Sequence, residues 1–298
     1  MRLAIIINPI SGAGGRADRA RPRAEMAAAL IERRRLDGEV LVTDRAGHAR
    51  ELTRAAVARG AEMVVAWGGD GTMNEVASVL AFTSTPLAII PSGSGNGLAR
   101  ELGIPSEPEG ALAVAIDGRS RSIDAGEMDG HLFFNIAGIG LDARVAHRFA
   151  AGGGGRRGLA RYVDMTLREL LTYEPDEHTV TTESGVIRQR ALLIAIANGR
   201  QYGNGAVIAP DARLDDGYLD VVVVAHRSVV EALFQMPRIF GGRVNRVRGI
   251  STRKTQDVEI ASACPVVFHV DGEPFSGSTS IRAHVHAKAL VVRVPLSD

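Results

Sequence analysis

Residues Glu62-Met63-Val64-Val65-Ala66-Trp67-Gly68-Gly69-Asp70-Gly71-Thr72-Met73-Asn74-Glu75 read as a strand, a glycine loop and the start of a helix. From Glu62 to Trp67 the run is almost wholly apolar, as suits a parallel strand buried on both faces. Met73 to Phe82 then reads as a helix, and Thr72 and Glu75 have the spacing of a capping box that would start it. A cap alone does not call for three glycines in four positions, nor for Asp70 held between them. Glycines let backbone N–H groups approach phosphate oxygens, and a helix N-terminus adds positive potential. An acid in such a loop repels phosphate unless it works through a cation. Asp70 is therefore a candidate for holding Mg²⁺ or ordering its waters.

The same pattern continues outward in both directions. Leu3 to Ile7 is an apolar strand followed by Ser11-Gly12-Ala13-Gly14-Gly15 and a helix expected over Ala24 to Arg35. Glu39 to Thr43 is a second strand, and His48 to Arg59 a helix stopped by Gly60. Leu87 to Ile90 leads into Pro91-Ser92-Gly93-Ser94-Gly95-Asn96-Gly97, where Ser94 and Asn96 can donate to a nucleotide and Asn96 can cap the helix at Leu98-Ala99-Arg100. Alternation with short loops predicts an α/β fold, an open, mostly parallel sheet with helices on both faces. Strand C-terminal ends share one edge of such a sheet, so glycine loops on three of them predict a nucleotide bed. Gly12-x-Gly14-x-x-Ala17, with Asp44 ending strand two, also approaches the dinucleotide fingerprint. A Rossmann-type oxidoreductase is therefore the competing expectation.

Composition narrows the classes. The chain has 298 residues, 45% hydrophobic and 23% charged, which excludes global disorder. A formal net charge of +1 carries no nucleic-acid signature. No apolar run approaches the roughly 18 residues of a membrane span. Cys264 stands alone, excluding a disulfide framework and a cysteine zinc site and fitting a reducing compartment. Of 35 Lys and Arg only Lys254 and Lys288 are lysines, both outside the glycine loops, so phosphate must be held without a P-loop lysine.

After about Asp124 the texture becomes β-rich. Strands are expected at Gly126 to Asn135, Thr179 to Glu183, Ala191 to Ala197, Leu219 to Val224, Asp257 to Ile260, Val266 to Val270 and Ala289 to Val294. Helices are expected at Leu159 to Leu171 and Val229 to Phe240, and Gly152 to Gly155 reads as a mobile loop. Asp271-Gly272 is a two-residue hairpin signal, which accounts for both residues but not for Glu273 beside them. Transfer to an alcohol needs a proton acceptor, and a carboxylate on a rigid hairpin can serve. Asp211, Asp215, Asp216 and Asp220 cluster around Gly217, either as a solvated turn or as a hard-cation site. The histidines show no zinc spacing, and His284-x-His286 reads as one face of a strand. Between Glu231 and Asp257 no acid intervenes while Arg238, Arg243, Arg246, Arg248, Arg253 and Lys254 do, a candidate contact with an anionic leaflet.

Asn8-Pro9-x-Ser11-Gly12, Gly68-Gly69-Asp70-Gly71-Thr72-x-Asn74-Glu75 and Gly93-Ser94-Gly95-Asn96, in this order and spacing, resemble the catalytic-domain family of soluble diacylglycerol kinases, bacterial lipid kinases and sphingosine kinases. Phe134-Asn135-x-Ala137-Gly138-x-Gly140, Asn198-Gly199, Pro210-x-Ala212, Asp216-Gly217-x-Leu219-Asp220 and Asp271-Gly272-Glu273 extend the resemblance over nearly the whole chain. It implies transfer of the ATP γ-phosphoryl group, with Mg²⁺, to a hydroxyl of a lipid such as diacylglycerol or a sphingoid base. It implies an α/β nucleotide-binding domain over 1–124 and a β-rich, sandwich-like acceptor domain over 125–288, with the last strand near 289–298 free to return to the first. By position it puts ATP on Asn8, Pro9, Ser11, Gly12, Thr43, Gly68, Gly69, Asp70, Gly71, Thr72, Asn74 and Ser94. The catalytic group becomes Asp70, Asp271 and Glu273, with Glu273 the proton acceptor. A structural Mg²⁺ falls on Asp216, the Tyr218 carbonyl and Arg213, whose carbonyl alone can serve. Gly97 stands where many bacterial diacylglycerol kinases have Asp, and the Gly-Ser-Gly-Asn form is more similar to sphingosine kinases. The resemblance implies a cytoplasmic enzyme, peripheral on the inner membrane face, meeting its lipid at an anionic surface. A non-enzymatic lipid- or nucleotide-binding module is the other alternative, and the presence of Asp70 and Glu273 argues against it.

Overall fold

A computed structural model describes residues 2–12, 20–151, 159–203, 205–226, 228, 231, 235, 238, 241–244 and 247–296. Gly14, Ala17, the Gly152 to Gly155 run, Arg246 and most of the helix expected over Val229 to Phe240 lie outside them. The chain divides into two compact units. One runs to Ile123 and resumes at Lys288; the other spans Asp124 to Ala287 among the described residues.

In the first unit β1 (Arg2–Ile7), α1 (Ala20–Arg33), β2 (Asp37–Val42), α2 (His48–Ala58), β3 (Met63–Gly68), α3 (Asp70–Leu80) and β4 (Leu87–Pro91) alternate, followed by α4 (Gly97–Glu101) and α5 (Pro108–Asp117). The strands lie in the order β2-β1-β3-β4 and pair in parallel throughout. β3 and β4 are buried at every position and β1 at all but its first, which is why their sequences are apolar without alternation. β2, half-exposed, forms the edge.

The second unit begins within β5 (Arg119–Met128) and continues through β6 (His131–Phe133), β7 (Ile136–Gly140), α6 (Leu141–Ala151), α7 (Leu159–Thr172), β8 (Glu177–Thr182), β9 (Gly185–Ala197) and β10 (Leu219–Ala225). Then come β11 (Ile250–Thr255), β12 (Asp257–Ser262), β13 (Val267–Val270), β14 (Glu273–Ser276) and β15 (Ser280–Val294). The long β9 serves two sheets. Its first half pairs with β8, which continues to β12 and the start of β15. Its second half lies between β7 and β10, with β13-β14 beyond β7 and β11 beyond β10. Period-two alternation sorts the side chains: Ile194 and Ile196 join the core with Val258, Ile260 and Phe268, whereas Leu193 and Ala195 face a second core with Val145 of α6 and Leu170 of α7. The end of β15 belongs to the first unit, where Val292 pairs in parallel with Leu87 of β4.

Candidate active site

In the first unit the loops after β1, β3 and β4 are tied to one another. Asn8 donates its backbone N–H to the Trp67 carbonyl (2.9 Å) and Ser92 donates to the Gly68 carbonyl (2.8 Å). The Asn8 side-chain amide donates to Thr72 Oγ1 (2.8 Å), and the Ser11 and Ser92 hydroxyls share a 2.6 Å hydrogen bond. Thr43, buried after β2, donates its N–H to Ile7 (2.9 Å). The glycines make this closeness possible. A Cβ on Gly93 would lie 2.6 Å from the Gly69 Cα, and one on Gly68 would lie 2.4 Å from the Thr72 Cβ. Gly12 adopts φ 102°, a conformation that favours glycine. Gly71, in the first turn of α3, is exposed, and among the described residues no atom beyond its chain neighbours and its own helix backbone lies within 4 Å of where its Cβ would be. That gap beside a helix N-terminus is where a phosphate can approach the backbone amides. Ser94 is exposed, Pro9 is half-buried, and Asn74 is buried in α3, where it accepts from the Ser78 hydroxyl at 3.3 Å.

Asp70 bridges two of these loops. Its Oδ2 accepts the N–H of Asn96 (2.8 Å) and its Oδ1 that of Gly97 (2.7 Å), so this carboxylate caps α4. The Asn96 side chain turns back onto Gly93, accepting from its N–H and donating to its carbonyl, each at 2.9 Å. Asn96 therefore does not cap α4 with its side chain. The expected capping box is absent as well. Thr72 receives Asn8, and Glu75 reaches across to the start of α2, accepting from Gly47 N (2.9 Å) and Arg50 N (3.3 Å). Both side chains are more useful joining loops than closing the first turn of their own helix.

Arg23 of α1 is a residue that sequence reasoning missed. Its guanidinium donates to the Asn8 carbonyl (2.7 Å), the Ser11 hydroxyl (2.8 Å) and the Ser11 carbonyl (3.1 Å). The helix starts at Ala20 rather than Ala24, and this shift places Arg23 on a helical face. Asp44, the acid of the oxidoreductase alternative, lies against Arg45 (2.9 Å) and His48 (2.7 Å).

In the second unit β13 and β14 are joined by Asp271-Gly272 with φ 47° and 88°, the positive pair of a type I′ turn. Asp271 Oδ1 accepts from Asn135 N (3.0 Å) and Ile136 N (3.1 Å), and Oδ2 from Phe134 N (3.0 Å). These three amides bind Asp271 to the segment leading into β7, which gives it a structural task. Glu273, by contrast, is exposed, and its carboxylate has no partner among the described residues. Behind the turn lies a buried network. Gly272 N–H donates to His269 Nδ1 (3.3 Å), which assigns the ring proton to Nε2, facing Asp142 Oδ2 (3.3 Å). The Tyr202 hydroxyl donates to the same oxygen (2.7 Å). Gly138 must lack a side chain here, since a Cβ would sit 2.1 Å from Asp142. Asn198 fastens the same region, its side-chain amide donating to the Asp124 and Phe134 carbonyls at 2.9 Å each.

In the third group, Asp216, Tyr218 and Arg213, the Asp216 carboxylate is paired with a side-chain ammonium. Lys254 Nζ lies 2.7 Å from Asp216 and 3.7 Å from Asp220. Burial alone would lower the Lys254 ammonium, but the Asp216 hydrogen bond and both carboxylate charges raise it above the ordinary lysine range. Asp216 Oδ1 also accepts from Tyr218 N (3.2 Å), and Arg213 is exposed. Buried Asp124 accepts from Gly217 N (2.7 Å) and fixes the turn from beneath. The positive charge this turn needs is supplied by a side chain.

Comparison with known proteins defines the class. The profile of the diacylglycerol kinase catalytic domain matches residues 2–128, and that of the YegS C-terminal NAD kinase beta sandwich-like domain matches 135–294. The chain belongs to this lipid kinase family, which replaces the oxidoreductase expectation. More particularly, it is 34% identical over 276 residues to a Pseudomonas aeruginosa protein named "Probable lipid kinase YegS-like", covering 91% of this chain and 90% of that one. It is 32% identical over 280 residues to a diacylglycerol kinase of Mycobacterium tuberculosis, covering 91% and 88%. A solved structure of a diacylglycerol kinase from Bacillus anthracis shares the fold, with TM-score 0.74 at 22% identity over 98% of this chain and 96% of that one. No helix among the described residues is long and apolar enough to cross a membrane.

Proposed function

We propose that this member of the family transfers the γ-phosphoryl group of ATP to a hydroxyl of a membrane lipid. The observation that supports this reading best is the glycine bed, in which Gly68, Gly69 and Gly93 let three loops meet and Gly71 leaves the first turn of α3 open. Backbone N–H groups there bind the phosphates. Arg23 positions the first loop through Asn8 and Ser11. Asp70 holds the last two loops together and would order the nucleotide's Mg²⁺ or its waters. Mg²⁺ bound with ATP supplies charge neutralisation at the phosphate oxygens. Glu273 takes the proton of the acceptor hydroxyl as its oxygen bonds to the γ-phosphorus and the bond to the β–γ bridging oxygen breaks, releasing ADP. Diacylglycerol is the first candidate acceptor, since a relative at 32% identity is named for it. Ser94 and Gly97 favour a sphingoid base as the second.

The enzyme works from the cytoplasm at the inner face of the membrane. Arg253 and Lys254 are exposed on β11, which pairs only with β10 among the described residues, and Arg243 and Arg248 precede it, also exposed. Attraction of this stretch to anionic lipid is worth about 1 kcal/mol per basic residue and is screened by salt. Incubation with labelled ATP, Mg²⁺ and mixed vesicles carrying diacylglycerol and sphingosine tests the whole reading. Phosphorylated lipid identified by mass spectrometry supports it and names the acceptor. Absence of any labelled lipid, with ATP bound, contradicts it. Replacing Arg243, Arg248 and Arg253 by Gln is expected to weaken sedimentation with anionic vesicles; wild-type sedimentation would move the docking surface elsewhere.

A further inference from the structure

The two strands through which the chain passes between its compact units, β5 and β15, pair with each other. Close to those passages, three ligand-type side chains of the second unit converge on one face. His286 Nε2 lies 2.8 Å from Glu127 Oε2, and His284 Nε2 lies 3.7 Å from the same oxygen. The three donor atoms all fall within 4.8 Å of one another, and the imidazole centroids are 4.4 Å apart in an edge-on arrangement. Sequence spacing pointed away from zinc because the third donor is 159 positions from His286. Period two on β15 brings the histidines to one side, and the neighbouring strand supplies the carboxylate.

We propose that Glu127, His284 and His286 form a zinc-class transition-metal site that ties β5 to β15. Two imidazole nitrogens and one carboxylate make the borderline donor set that zinc prefers, whereas Mg²⁺ requires oxygen. With metal–ligand bonds of about 2.0–2.2 Å, tetrahedral donors stand roughly 3.3 Å apart. The observed 2.8 and 3.7 Å separations bracket that spacing, so small side-chain rotations seat an ion. All three side chains are partly exposed, leaving the fourth position to water and a path for entry. The site is independent of the Mg²⁺ that accompanies ATP and of the kinase reading itself.

The test uses the full chain, stripped with chelator and desalted. Titration with ZnCl2 is expected to show one ion bound per chain, undisturbed by excess MgCl2, and Co²⁺ in its place should give the visible absorption of a four-coordinate site. The melting temperature of the stripped protein should rise with Zn²⁺. His286→Gln and His284→Gln should each weaken Zn²⁺ binding by about tenfold or more. Glu127→Gln provides a third variant should either histidine change disturb folding, judged by the melting temperature without metal. Equal Zn²⁺ binding by wild type and by the folded double histidine variant, or no binding by wild type, would overturn the proposal.

Discussion

The glycine bed of the first unit and the hairpin of the second each contain an aspartate whose two oxygens both accept backbone amides, yet among the described residues only the hairpin has a second acid left free. Asp70 is committed to Asn96 and Gly97, and Asp271 to Phe134, Asn135 and Ile136. Glu273, two residues beyond Asp271, has an exposed carboxylate without a partner among the described residues. An acid that satisfies several amides builds the loop, because removing it leaves buried donors unpaired. An acid with none is available for proton transfer. The difference separates three carboxylates that motif reading places in one catalytic group.

Substituting the free acid is the largest expected effect and the hardest test of the comparison. Glu273→Gln should lower kcat by about 10²–10⁴ with unchanged ATP affinity. Its melting temperature should match wild type, since the side chain holds nothing in place. Undiminished turnover in a folded variant would leave the hairpin without a chemical role.

Asp271→Asn should show the opposite pattern. The replacing amide cannot accept from all three N–H groups without setting its own NH₂ against one of them. A stability loss of about 1.5–3 kcal/mol is expected, read by denaturant titration, with turnover falling only as the hairpin shifts. Wild-type stability combined with lost turnover would return Asp271 to the catalytic group. Asp70→Asn removes the charged acceptor of two amides rather than three. ATP binding by titration calorimetry should weaken by about tenfold, since a hydrogen bond to a charged group is worth about 1.5–3 kcal/mol. Normal ATP affinity with collapsed kcat would instead place Asp70 at the transferring phosphoryl group.

Legibility followed the same division between scaffold and clamp. β1, β3 and β4 declared themselves as apolar runs because burial on both faces removes alternation. The Asp271-Gly272 turn was legible because two consecutive positive φ values admit few residues. β7 escaped as a strand, since Ala137-Gly138-Ile139-Gly140 lacks the usual bulk, and Gly138 is small only because Asp142 and His269 lie behind it. In the first half of β15 only His284-x-His286 reads as one face of a strand, because Arg282 and the two histidines leave that half without an apolar run; Ala289 to Val294 is the part that declares itself by burial. Thr72 and Glu75 misled because a capping spacing does not say whether side chains turn inward or reach to another loop. Arg23, Asp142 and Tyr202 left no local signal; their partners are distant in sequence.

The smallest expected effect concerns the third acidic group, where an ammonium takes the place that amides take at Asp70 and Asp271. Asp220 is buried, and that burial raises its carboxyl above the ordinary value, with Lys254 pulling it back down. A raised carboxyl contributes fully to stability below its unfolded value of 3.8 and loses that contribution as pH rises through the folded value. Lys254→Met removes the opposing charge, moves the folded value further up and deepens the loss at neutral pH. Because the pair is well exposed on the lysine side, the cost should be about 1 kcal/mol or less at neutral pH. It should vanish in acid, where Asp220 is protonated in both states. Thermal melts across pH would show wild type and variant converging as pH falls. Added Mg²⁺ should raise the melting temperature of the variant, whose Asp216 and Asp220 then lack a counter-ion, and leave wild type unmoved. If Mg²⁺ without ATP stabilises wild type as strongly as the variant, Lys254 does not stand in for a metal, and the turn binds its cation from solution.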